Sequence, residues 1–370
     1  MNIKDYGWNE FFEQEWRGLV ADKVCCSPMQ PGLVASKACC SSMHPARVVA
    51  DYGQRVRLVS DLGELVLNRP LHKSGNDMQL AVGDWVAVEN AGDADNAAIR
   101  FVLKRKTKFS RAAAGVEVKE QIVGANVDTV FLIQSLNKDF NMRRLERYLI
   151  AAWESGAMPV VVLTKADCCE DIAEKLTVVY NTAPGTEVHV ISCVTGEGIA
   201  EIRKYFEQGK TVALLGSSGV GKSTLVNTLA GKELLKTQEI REDDSKGRHT
   251  TTHRELLLLP GGGLILDTPG MRTLSLWEAD TGMELMFGDV EELIKQCRFY
   301  DCKHNSEPGC AVRAALHSGT LEMKRWESWL KLQKELVHLE SKKEGKLRLR
   351  EKNWGKQIAK FQKELYKGRV

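Results

Sequence analysis

Hydrophobic and polar positions divide the chain into a β-rich stretch, a longer α/β stretch and a helical end. Residues 1–45 carry little pattern. From residue 46, short apolar runs recur at 48–50, 55–59, 64–67, 84–88 and 99–103, punctuated by Gly53, Gly63, Gly83 and Asn90-Ala91-Gly92. Runs of this length between turn residues predict strands. With little room for helices between them, the strands predict a small barrel over 46–110, of oligonucleotide-binding (OB) type; an SH3-like barrel fits almost as well. From Val127 the rhythm changes. Apolar strands are expected at 127–133, 159–163, 187–191, 211–215, 255–259 and 263–266, with helical stretches such as 142–154 and 198–206 between most of them. That alternation predicts a mostly parallel sheet covered on both faces, with ligands at the C-terminal strand ends. This α/β domain is expected over 111–278 and a mostly helical domain over 279–370.

Composition narrows the setting. The 370 residues suit two or three domains, and 43 % hydrophobic with 27 % charged residues is ordinary for a globular protein. No apolar run approaches the ~18 residues of a membrane span, and the aromatic, acidic start is unlike a signal peptide. A cytoplasmic monomer with no membrane partner is the expectation. Its ten cysteines should then be reduced, buried or metal-bound rather than paired. The net charge of +3 hides an asymmetry: residues 321–370 hold 15 Lys/Arg against 7 Asp/Glu, so the rest of the chain is mildly acidic. A basic end suggests an anionic partner or a solvated helix.

Two segments resist assignment. Lys23-Val24-Cys25-Cys26-Ser27-Pro28-Met29-Gln30-Pro31 recurs as Lys37-Ala38-Cys39-Cys40-Ser41-Ser42-Met43-His44-Pro45. Adjacent cysteines are poorly spaced for chelation, so a linker is the favoured reading over zinc. Residues 104–111 hold five basic side chains in eight, either a solvated linker or an RNA contact beside the barrel.

The chemistry lies in the α/β stretch. Gly216-Ser217-Ser218-Gly219-Val220-Gly221-Lys222-Ser223 fits GxxxxGK[ST] between an expected strand and a helix opening at Thr224. Its backbone N–H groups can ring phosphate oxygens, Lys222 can reach the β- and γ-phosphates, and the Ser223 hydroxyl can ligate Mg²⁺. Asp267-Thr268-Pro269-Gly270 follows the strand at 263–266. There Asp267 would hold Mg²⁺ through water and the Gly270 N–H would meet the γ-phosphate. Between the two motifs, Lys246-Gly247-Arg248-His249-Thr250-Thr251-Thr252 reads as a switch loop in which Thr251 ligates Mg²⁺. Thr164-Lys165-Ala166-Asp167 resembles the guanine motif Asn-Lys-x-Asp: the Asp167 carboxylate accepts from guanine N1–H and the exocyclic amine, which adenine cannot match. Thr164 replaces the usual Asn, so the loop must be braced differently. Ser192-Cys193-Val194-Thr195 resembles the companion loop that meets guanine O6. Ras-like enzymes place the phosphate loop first and the base loops last; here Asp167 and Ser192 precede Lys222, and Asp267 follows it. GTP/GDP with Mg²⁺ are the expected ligands, and the motif order is circularly permuted.

Cys297-x4-Cys302-x-His304-x5-Cys310 supplies three thiolates and an imidazole within a short span, suited to a closed tetrahedral structural Zn²⁺ site. Cys168, Cys169 and Cys193 read as packing residues.

Together the motif order, the Gly-Arg-His-Thr-Thr-Thr loop and the cysteine cluster resemble the circularly permuted ribosome-small-subunit-dependent GTPase A family, over about residues 46–320. The resemblance implies an OB-type barrel, a circularly permuted α/β P-loop GTPase domain and a zinc-binding C-terminal domain. It further implies a late assembly factor that binds the small ribosomal subunit and its rRNA, with hydrolysis stimulated by that subunit. All four Cys/His positions match the family's zinc ligands. The duplicated CysCys segment does not match the family pattern. Met271 and Arg272 stand where Ras-like enzymes often carry a water-orienting Gln, so slow intrinsic hydrolysis is expected, with His249 as a candidate substitute. Three rivals remain at this point: a P-loop ATPase or kinase, a metal-delivery GTPase, and an RNA-binding scaffold that does not hydrolyse.

Overall fold

The computed structural model of the chain describes residues 2–24, 43–70, 79–112, 120–137, 139–235, 254–267 and 279–341. They form two compact units, one built from 1–110 and 122–274 and the other from 111–121 and 275–370. Among the described residues no helix is long and apolar enough to cross a membrane.

In the first unit, five strands form the OB-like part: β1 (Met43–Asp51), β2 (Arg55–Ser60), β3 (Gly63–Asn68), β4 (Trp85–Glu89) and β5 (Ala98–Val102). β1 pairs antiparallel with both β2 and β4, and β4 with β5, giving a partly open barrel. Alternate side chains point inward, and Val48, Val56, Leu58, Leu65, Leu67, Val86 and Val88 make its core. All five strands lie where the apolar runs place them. β6 (Lys108–Ala112) and β7 (Glu120–Ala125) pair as a separate ribbon.

The α/β part contributes β8 (Thr129–Ser135), β9 (Met158–Thr164), β10 (Glu187–Val190), β11 (Thr211–Leu215), β12 (Arg254–Leu258) and β13 (Leu264–Asp267). Their order is β10-β9-β8-β11-β13-β12, all parallel except β12. One sheet face carries Phe131, Ile133, Val160, Val162, Val212 and Leu214 against α4 (Ile199–Ile202), α5 (Lys222–Ala230) and the turn at 203–206. On the other face α2 (Met142–Ser155) packs Leu145, Leu149 and Ala152 against β8 and β9, and α3 (Ile172–Thr182) lies beside α2. The central strand β11 has β8, from earlier in the chain, on one side and β13, from later, on the other. That is the sheet a permuted order requires.

Two features go beyond the strand pattern. Ala50 and Asp51 at the end of β1 pair with Glu255 and Arg254 of β12, so the barrel strands and the α/β strands make one continuous sheet. Residues 2–24 are more organised than their pattern suggests: α1 (Glu10–Val24) follows a short 3-10 turn at Ile3–Tyr6. β1 already begins at Met43. Trp8 and Phe12 pack on Trp85 with ring centroids 4.8 and 5.7 Å away. Buried Arg47 ties this start to the rest. Its guanidinium donates to Tyr6 O, to Gly83 O at 3.3 Å, and to Asn126 O and Thr211 Oγ1 at 3.0 Å each. Burial lowers its pKa to about 10, so it stays charged near neutrality. Cys25, Cys26, Cys39 and Cys40 lie outside the described residues.

In the second unit, α6 (Asp280–Lys295) is kinked at Phe287 (φ −123°, ψ 27°). Arg325, on a helix α8 over 323–341, donates to Met286 O at 2.8 Å and to both Asp289 oxygens at 2.7 Å. A side chain that takes a carbonyl from the helix ladder is a recognised cause of kinks. α7 (Ala311–Ser318) lies against α6.

Candidate nucleotide site and metal cluster

β11 delivers the chain into the loop 216–221 and α5 begins at Lys222. Two glycines make this turn feasible. Gly221 sits at φ +96° as the helix N-cap, and a Cβ on Gly216 would lie 2.8 Å from Ile133 O. Lys222 Nζ folds back to donate to Gly216 O at 2.7 Å and to Ser217 O. Its ammonium is thereby held over the loop, where the helix N-terminus adds positive potential. Ser218, Gly219 and Thr224 are exposed, Ser217 and Ser223 half-buried, and Val220 anchors the loop in the core. Asp267 ends β13 beside β11, at the same end of the sheet.

The base motif meets the phosphate loop directly. Buried Thr164 donates from Oγ1 to Val220 O at 2.6 Å, which supplies the bracing that the missing Asn left open. Lys165, at φ +60°, donates from Nζ to Gly219 O at 2.9 Å. Ala166 is buried beneath it, and its N–H meets Ile191 O at 3.2 Å. Asp167 is exposed, with Oδ1 accepting from Ser192 Oγ at 2.5 Å and Oδ2 from Cys168 Sγ at 3.2 Å. The hydroxyl of Ser192 and then the thiol of Cys168 hold the Asp167 carboxyl below the usual carboxylate range. Ser192 Oγ in turn accepts from Val194 N and Thr195 N, both at 3.2 Å, which shapes the companion loop. Cys193 packs against the core and burial pushes its thiol up. Cys168 is exposed, contrary to its reading as a packing residue, and Asp167 raises its thiol pKa.

Asp139 and Arg144 had no sequence signal. Asp139 lies in the β8–α2 connection, accepts from Ser217 Oγ of the phosphate loop, and pairs with Arg144 at 2.7 and 3.0 Å. Burial pushes its carboxyl up, but hydrogen bonds from Arg144 and Ser217 outweigh that and hold it low. Only the fold could bring residues 139 and 217 together. His249, Thr250, Thr251, Thr252, Gly270, Met271 and Arg272 lie outside the described residues. The basic run 104–111 is partly spent inside the protein. Arg105 pairs with buried Asp84 at 2.6 and 2.8 Å, and Lys106 sits 5.0 Å from the Phe11 ring centroid.

In the second unit, the ligand atoms of Cys297, Cys302, His304 and Cys310 lie within 4.8 Å of one another. Cys297 Sγ is 3.9 Å from Cys310 Sγ, and His304 Nδ1 is 3.5 Å from both. A tetrahedron with Zn–S of about 2.3 Å and Zn–N of about 2.0 Å has S···S edges near ~3.8 Å and S···N edges near ~3.5 Å, so the donor set fits that ion. Cys310 is also the N-cap of α7, its sulfur accepting from Arg313 N at 3.5 Å. Glu307 shapes the intervening loop by accepting from the N–H groups of Lys303, Asn305 and Ser306 at 2.9, 2.9 and 3.0 Å. The Trp326 ring meets His304 edge-on at 5.4 Å.

Known proteins share this layout. Residues 102–277 match the family model of RsgA GTPase. The chain is 41 % identical over 366 residues to small ribosomal subunit biogenesis GTPase RsgA 1 of Listeria innocua, covering 97 % of this chain and 96 % of that one. It is 43 % identical over 333 residues to RsgA 2 of Vibrio parahaemolyticus, covering 90 % and 85 %. The crystal structure of YjeQ from Thermotoga maritima superposes with a TM-score of 0.59 at 27 % identity, over 80 % of this chain and 99 % of that one. YloQ, described as a circularly permuted GTPase, shares the fold with a TM-score of 0.56 at 22 % identity, over 80 % and 96 %. With its permuted sheet, phosphate loop and Cys/His cluster, the chain belongs to the RsgA family of circularly permuted, GTP-hydrolysing P-loop enzymes.

Proposed function

We propose that this GTPase serves maturation of the small ribosomal subunit in the cytoplasm, acting as a monomer that binds rRNA and hydrolyses GTP faster when docked on that subunit. The observation that carries the nucleotide assignment is the pair of bonds from Thr164 and Lys165 to the phosphate loop, which makes base and phosphate recognition one site. Asp167 and the Ser192–Cys193 loop read guanine. The N–H groups of 216–224 and the Lys222 ammonium receive the phosphates. Ser223 and Thr251 offer hydroxyls to Mg²⁺, with Asp267 behind them and Gly270 at the γ-phosphate. When bound, the ion would supply charge neutralisation at the phosphates. His249 orients the attacking water. Cys297, Cys302, His304 and Cys310 hold one structural Zn²⁺, with all four positions occupied by protein and none open for catalysis. The names of the relatives support the ribosomal assignment, and the basic surplus of residues 321–370 supports contact with RNA. The test is GTP turnover with and without purified small subunits. Stimulation is expected; unchanged turnover would remove the ribosomal part of the reading, and His249→Ala with full stimulated turnover would remove His249 from it.

A further inference from the structure

The bond from Ser217 to Asp139 sets an electrostatic problem. A phosphate loop receives a polyanion, yet here a carboxylate is bonded to its second residue. The position of that carboxylate is preset. Gln134, buried at the end of β8, holds the main chain of Asn141 through both amide atoms, at 3.3 and 3.4 Å. Asn137 Oδ1 accepts Asp139 N at 3.0 Å, and Asn141 caps α2 by accepting Arg144 N at 3.1 Å. Both Asp139 oxygens are then forked by Arg144, while Oδ2 also takes Ser217 Oγ. A surface pair of this kind contributes little to stability by itself. Its place beside the phosphate loop gives it another use.

We propose that Asp139 and Arg144 form a charge-neutralised latch: Asp139 holds Ser217 and the entry of the phosphate loop, and Arg144 cancels the charge that Asp139 would otherwise present to the terminal phosphate. Both are positioning residues that touch the nucleotide only through the loop. The inference rests on reading 216–223 as the phosphate loop. It implies an asymmetry that plain bracing does not. Removing Arg144 alone leaves the Asp139 carboxylate without its guanidinium partner, with only the Ser217 hydroxyl and the more distant Lys165 charge to offset it. That opposes GTP more than GDP because GTP carries one more negative charge. Removing both charges abolishes the repulsion.

The experiment measures dissociation constants of fluorescent GTP and GDP analogues on the full chain. Arg144→Met should weaken GTP roughly five- to tenfold and GDP clearly less. The double variant Asp139→Asn/Arg144→Met should recover GTP affinity to within about twofold of the parent protein. Arg144→Lys, which keeps the charge without the fork, should preserve the ratio of GTP to GDP affinity and serves if Arg144→Met does not fold. A double variant as weak as Arg144→Met, or equal losses for GTP and GDP, would overturn the latch, as would Arg144→Lys shifting the ratio. Lys222→Ala separates the two readings: if it bound GTP normally, the phosphate-loop assignment itself would fail, whatever the latch variants do.

Discussion

Thr164 Oγ1 donates a 2.6 Å hydrogen bond to the Val220 carbonyl, joining the strand end proposed to read the base to the loop proposed to receive the phosphates. Thr164→Val keeps the volume but removes the donor, leaving a buried carbonyl with one partner fewer. A cost of about 1–2 kcal/mol is expected, seen as a several-fold loss of GTP affinity. Thr164→Asn, whose amide can also donate, should lose less. Isothermal titration of the two variants decides, and equal losses would show that the bond does not brace the site.

Asp167 should set the base preference. Asp167→Asn replaces an acceptor pair by one acceptor and one donor, so guanine loses about 3 kcal/mol, roughly a hundredfold in affinity. Xanthine, which carries a carbonyl where guanine has its amine, should gain correspondingly. Competition between GTP and XTP on the variant checks this; unchanged GTP preference would mean that another residue reads the base.

The acid side of the stability profile should carry the mark of Glu187. Hydrogen bonds from Tyr205 and then Lys204 hold its pKa at about 2, below the ordinary value of 4.5. A depressed carboxylate pKa contributes stability that is complete above about 4.5 and is lost as pH falls toward about 2. Tyr205 is pushed up to about 12, first by burial and then by Glu187, so its share is complete below 10 and lost as pH rises through about 12. Urea midpoints of the parent chain should exceed those of Glu187→Gln at pH 6, and the gap should close toward pH 2.5. A gap constant with pH would contradict the assignment.

The Cys/His cluster should govern its own surroundings. Cys310 is a ligand candidate and the cap of α7 at once, so Cys310→Ser should lower zinc content below the expected one ion per chain and loosen α7. Zinc-finger sites draw most of their folding free energy from the ion. Chelation should therefore raise amide exchange at 297–318 while GTP affinity persists. A chain that keeps full protection there after losing its zinc would refute the structural role.

Arg47→Met should be among the most damaging substitutions remote from the nucleotide. It leaves the carbonyls of Tyr6, Gly83 and Asn126 short of a charged donor inside the protein. A loss of roughly 3 kcal/mol or more is expected in denaturant titration. A loss below about 1 kcal/mol would indicate that water replaces the guanidinium.

The legible parts of this molecule are those written in local pattern. Every strand of the barrel and of the α/β sheet showed as an apolar run between turn residues, because strand faces and turn chemistry are set by neighbours in sequence. The phosphate loop and the Cys/His cluster were legible for the same reason: their functional atoms lie within one short segment. Thr164 was visible only as a departure from a motif, since its partner Val220 is brought to it by the sheet. Asp139 and Arg144 carried no signal, because a carboxylate in a polar loop followed by an arginine on a helix describes countless solvated pairs. The organised start was missed although Trp8, Phe12 and Trp16 stand four residues apart, the spacing of one helix face.

The pairing of Ala50 with Glu255 has a consequence for synthesis. About two hundred residues separate these partners, so as the chain leaves the ribosome β1 emerges long before β12 exists. Until then the end of β1 is an unpaired edge, and such edges recruit other strands. Contacts this distant in sequence also slow the search for the native pairing. The barrel should therefore be a poor excised fragment, and truncation before residue 254 should yield an aggregation-prone chain even though every barrel strand is present.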